Sequence, residues 1–237
     1  PKASVPESFL SLAPRESFLY LHARDLKALR DKTKAFDFIA VARRLRLASR
    51  LEGLLEKKIE AEGPIPEGPR KAGQEIRKII RKAKLWEVIG NEVAFFAFPT
   101  EKTIKPALVA VCRLPAGAGK EYLGYFEEAV NVLIEGRKAE VSRSQYLEES
   151  LNSLVLTRND ISLAPTWAVV GDVFILSSRP EGAREVVARL KGRGERASLA
   201  DSPSFRKAMQ GLDPAARAVW YGRADGLLEW ALRVYKF

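Results

Sequence analysis

The chain has 237 residues, enough to bury a sizeable core as one large domain or two small ones. Hydrophobic residues at 46% and charged residues at 30% exclude wholesale disorder, and no apolar run approaches the ~18 residues of a membrane span. A formal net charge of +10 points toward anionic partners, while a single cysteine, Cys112, excludes an intramolecular disulfide.

Pro1 is not a translation start, so a processed or truncated N-terminus is expected, with any signal peptide or anchor left off. Residues 1–14 mix Pro and Ser with a few apolar positions and read as an N-terminal tether with a short turn around Phe9 and Leu12. The run SFLYLHA at 17–23 predicts a strand, and Asp25 is placed to cap the helix that follows. Helical spacing continues over 26–61, until GPIPEGP at 63–69 breaks it. A second basic helix is predicted over 70–86, with Ile76, Ile79, Ile80 and Leu85 as its apolar stripe. VAFFAF at 93–98 predicts a buried strand, and 107–113 its antiparallel neighbour. A Gly-containing loop at 115–119 leads into a helix over 120–136 that turns Leu123, Phe126, Val130 and Leu133 inward.

Weaker strands are expected at 140–147 and 153–157. The clearest unit comes next: residues 167–170 and 173–176 are β-rich runs separated only by Gly171-Asp172. Glycine at the first central position suits a type II′ hairpin. Pro180 then opens a helix over 180–191, ended by Gly192 and Gly194. Ser202 and Pro203 open another short helix, followed by a strand at 217–222 and a helix at 225–235. The expected fold is α+β, a mainly antiparallel sheet with helices packed on one face. The α+β domain is assigned to 15–200.

Residues 6–29 and 203–228 share an order of Ser-Phe, Leu, Pro, an aromatic strand with Tyr20 or Tyr221, and a Leu-rich helix. On that echo, 201–237 reads as the start of a second repeat or a docking segment. The layout resembles an uncharacterised bacterial family, domain of unknown function 3352. The resemblance is carried by SFLYLHARDLKALRDK (17–32), VIGNEVAFFAFP (88–99), and WAVVGDVFILSSRPEGAREVVARL with SLADSPSFRKAM (167–209). It implies an exported or membrane-associated α+β domain of unknown biochemical role; residues 137–160 match no part of that pattern.

Chemistry-bearing motifs are sparse. His22 is the only imidazole and reads as a packing residue, and Cys112 lies in an apolar run and reads as a buried core thiol. The AGAGK stretch at 116–120 has the strand-to-helix context of a phosphate loop. It lacks the earlier glycine, where Leu114 stands, and has Glu121 in place of the metal-binding hydroxyl. Glu127-Glu128 and Glu148-Glu149 are sequence neighbours on solvated surfaces and do not converge on one substrate atom. No catalytic, cofactor or metal residue is assigned.

The best functional candidate is basic: Arg43, Arg44, Arg46, Arg50, Arg70, Lys71, Arg77, Lys78, Arg81 and Lys82, on two helices flanking the Pro-rich break. Merged, their polar faces would contact an anionic surface; as separate solvated faces they would pair with Glu52, Glu56, Glu75 and Glu87. Trp220, Trp230, Tyr235 and Phe237 are expected at a partner or homodimer surface formed by the C-terminal segment. The resulting expectation is a non-catalytic extracytoplasmic, periplasmic or membrane-anchored, scaffold or binding domain contacting an envelope protein or an anionic membrane. A cytoplasmic basic protein that binds nucleic acid is the alternative, disfavoured because no recognition motif is present, and an enzyme with an unfamiliar carboxylate or Lys site is a third.

Overall fold

The computed structural model describes residues 9–25, 75, 78, 79, 81–83, 91–100, 103–135, 139–158, 161–212, 218–226 and 228. Nine strands form one sheet: β1 (Leu19–Arg24), β2 (Glu92–Thr100), β3 (Thr103–Arg113), β4 (Ala139–Tyr146), β5 (Glu149–Arg158), β6 (Ile161–Leu163), β7 (Thr166–Val170), β8 (Val173–Ser177) and β9 (Ala218–Gly222). Their order is β4-β5-β7-β8-β3-β2-β1-β9, with β6 also paired to β5, and every pairing is antiparallel. The described helices are α1 (Gly119–Ile134), α2 (Pro180–Leu190) and α3 (Pro203–Met209). This is the expected α+β, antiparallel architecture.

The β7–β8 hairpin is its centre. Trp167 faces Leu176 and Val170 faces Val173 across the turn, where Gly171 takes φ 58, a left-handed value that favours glycine. Alternation then sends Ala168, Val170, Val173 and Ile175 to one face, all buried. Ala107, Val109 and Val111 of β3 and Ala94, Phe96 and Phe98 of β2 share that face. Onto it α2 lays Ala183, Val186, Val187 and Leu190, and burying each of the larger side chains contributes about 1.5–3 kcal/mol. Pro180 supplies the first turn of α2, and Gly192 at φ 68 closes its end.

Two sequence boundaries change. Phe9, Leu12 and Ala13, assigned to the tether, are fully buried in this core, where a 3₁₀ turn (Phe9–Leu12) packs with a second one at Leu199–Asp201. Residue 201 is no boundary in the described core either. Phe205 of α3 packs edge-on against Tyr20 and Tyr221, with centroids 6.1 Å and 4.9 Å away, and β9 pairs with β1. The two strands of the echo are therefore sheet neighbours, with Tyr20 directly opposite Tyr221. Asp25 has φ 52, not the extended conformation of a helix N-cap.

The second face carries a helix as well. Phe126 of α1 meets Trp167 and Phe174 at 5.3 Å and 5.1 Å between centroids, and both rings project from the side opposite α2. Gly119 opens α1 because a Cβ there would lie 2.7 Å from Val169 Cγ1. The helix crosses only part of this face.

Candidate functional site

Among the described residues, the second face beside α1 is open and apolar. Strand alternation brings Leu21, Phe95, Ala110, Cys112, Phe174 and Leu176 to it from four adjacent strands. Tyr122, Tyr125 and Phe126 of α1 form one wall, Ile79 and Ala83 contribute to the lining, and Trp220 of β9 contributes at the sheet edge. Together they enclose a trough of about 750 Å³ with almost no polar lining. That volume lies within the ~300–1,000 Å³ usual for ligand sites. Trp220 is 69% exposed and Leu21 39%, so part of this surface lies open to water.

The polar groups of the trough lie on its border. Tyr125 Oη donates to Glu121 Oε1 at 2.7 Å, and that bond raises the phenol's pKa above its ordinary value. Lys82 Nζ stands 5.3 Å from the Tyr125 ring centroid and 3.9 Å from Glu128 Oε2. Inside, burial pushes the Cys112 thiol up to about 12, so it stays protonated at neutral pH. The core thiol expected from sequence is a half-buried wall residue.

A charged cluster ties the closed face. His22 Nε2 donates to Glu92 Oε1 at 2.8 Å, and Arg113 Nε and Nη2 donate to Glu92 Oε2 at 2.8 Å and 2.6 Å. Arg24 approaches the same carboxylate at 3.9 Å. Burial works to raise the Glu92 pKa, but the bonds from His22 and Arg113 outweigh it and hold the group below its ordinary value. The cluster links β1, β2 and β3, and Arg113 also stacks over Phe9, 5.0 Å from its centroid.

Of the basic residues singled out in sequence, Lys78, Arg81 and Lys82 are described, all exposed; Lys78 pairs with Glu75 at 2.6 Å. Arg43, Arg44, Arg46, Arg50, Arg70, Lys71 and Arg77 lie outside the described residues, as do Trp230, Tyr235 and Phe237. Trp220 is exposed, whereas Trp167 is wholly buried. The loop at 116–120 is committed to structure: Gly117 N–H donates to Asp172 Oδ1 at 3.0 Å and Ala118 N–H to Pro115 O at 3.0 Å. Those donors are therefore not presented to a phosphate.

The trough was missed in sequence, although a signal exists. VAFFAF, ALVAVC and VFIL are apolar at both parities, so both faces of those strands avoid water. Among the described residues no group of three metal-ligating side chains occurs, and no helix is long and apolar enough to cross a membrane. No family model, no curated protein and no solved structure matches the chain.

Proposed function

We propose that this protein is a non-catalytic binding module of the cell envelope that holds an apolar ligand, or the apolar part of one, on the open face of its sheet. The apolar trough carries the reading. A concave site of ligand size whose lining surface is almost wholly apolar favours binding over chemistry. Of the two groups best suited to catalysis, His22 turns to Glu92 on the other side of the sheet, and Cys112 is held as a protonated thiol. The extracytoplasmic placement rests on the sequence resemblance.

A dye that brightens in apolar surroundings tests the trough directly. Enhancement should be competed by linear alkyl ligands, with affinity rising about fourfold per added methylene, from ~0.8 kcal/mol each, until the trough is full. A Phe95→Glu/Leu176→Glu variant should lose the signal while retaining its far-ultraviolet circular dichroism. Folded wild type that neither brightens the dye nor binds any member of the series overturns the reading.

The anionic-surface reading is kept for one observation. Ile79 and Ala83 point into the trough while Lys78, Arg81 and Lys82 remain exposed beside them, so cations border the apolar site. Co-sedimentation with anionic and zwitterionic vesicles over a salt series tests it, and salt-independent binding to both would reject it.

A further inference from the structure

Resting on the trough as a ligand site, we propose that its occupant is a single-chain amphiphile with an anionic head, held by Lys82 at the α1 border. The chain would lie over the sheet between Phe95, Phe174 and Leu176, where there is almost nothing for a polar group to bond. A peptide would carry backbone amides into that space, and an extended one would find few partners for them. An alkyl chain has none to satisfy.

The head must then reach the border, whose side-chain charges decide its sign. Among the described residues, Lys78, Arg81, Lys82 and Glu75 stand near Ile79, and α1 carries Lys120, Glu121, Glu127 and Glu128. Their formal sum is zero, so engagement matters more than count. Glu121 already accepts the Tyr125 hydroxyl at 2.7 Å, and Glu75 is paired with Lys78 at 2.6 Å. Lys82, by contrast, meets Glu128 only at 3.9 Å, a length at which an ammonium still has donors to offer. It also lies over the ring of Tyr125, a trough-lining residue, which places its charge at the mouth. Arg81 is exposed beside it, and the chain's net charge of +10 adds a long-range preference for anions.

Three probes with the same sixteen-carbon chain separate the two layers of the proposal: a fatty acid, the fatty alcohol and the alkyltrimethylammonium. Binding would be measured by dye displacement below each probe's micelle concentration, at low salt and pH 8. The fatty acid is expected to bind at least fivefold more tightly than the alcohol, with the cation weakest. Lys82→Glu should erase the preference for the fatty acid over the alcohol, and Glu128→Gln should strengthen the fatty acid further. Equal affinity for all three probes, or a fatty-acid preference that survives in folded Lys82→Glu, overturns the head-group assignment while leaving the trough intact. If none of the three binds to folded wild type, the trough reading itself falls. A thermal melt of each variant separates lost contact from lost fold.

Discussion

Glu92 shows how one residue couples burial to charge. Its carboxylate is taken from water but receives hydrogen bonds from His22 and Arg113, and the bonds outweigh the burial cost. Removing the charge with Glu92→Gln leaves the buried partners unmatched, and a loss on the order of 2–3 kcal/mol is expected in denaturant unfolding. The pH dependence has a definite sign. Since the folded pKa lies below the unfolded one, the carboxylate's contribution is complete above the unfolded value, ~4.3, and fades as pH falls through the folded value. The stability gap between wild type and Glu92→Gln should therefore narrow on acidification below about pH 4.5. Cys112 gives a second check at this scale. With its thiol at about 12, alkylation at pH 8 should be orders of magnitude slower than for an unfolded control by mass spectrometry, and slower again with an alkyl ligand present.

At the scale of elements, α2 lies close to the sheet because Gly182 has no side chain. A Cβ there would come 2.9 Å from Val109 Cγ2 and 3.1 Å from the Ala107 Cβ, and would also meet Ser177 Oγ. Ordinarily Gly→Ala in a helix gains about 1 kcal/mol of propensity. Here overpacking, costing ~1–3 kcal/mol, is expected to win, so Gly182→Ala should lower the melting temperature, and a rise would mean α2 shifts at little cost. The β4–β5 hairpin obeys a different rule. It turns at Leu147 and Glu148, with φ of 49 and 68, values that favour Asn or Gly. Leu147 packs against the core, so tertiary contact holds a turn that local chemistry does not ask for.

At the largest scale, the described residues form a sheet with two unequal faces. One is sealed by α2, α3 and the turns around Phe9 and Leu199; the other is bridged by α1 and otherwise lined by the trough. Trp220 belongs to the second face and is mostly exposed, so Trp220→Ser should change stability by less than ~0.5 kcal/mol while reducing dye binding and any self-association seen in sedimentation velocity. A large stability loss would instead make Trp220 part of the core.

Much of this was determined locally. The β7–β8 hairpin, its Gly171 turn, the helix opened by Pro180 and the Ser202 cap, whose hydroxyl accepts from Phe205 N–H at 3.4 Å, follow from residue chemistry within a few positions. The α+β class followed from alternating runs separated by helical spacing. What only the tertiary structure decided is what meets across distance. His22, Glu92 and Arg113 are separated by up to 91 positions yet share one carboxylate, because β1, β2 and β3 are neighbours in register. The placement of α1 on the face opposite α2, and hence the trough, was likewise undecided by periodicity. A strand apolar at both parities says that both faces avoid water, but not which element covers either one. Covering is a property of the chain's path through space, and short-range pattern does not encode it.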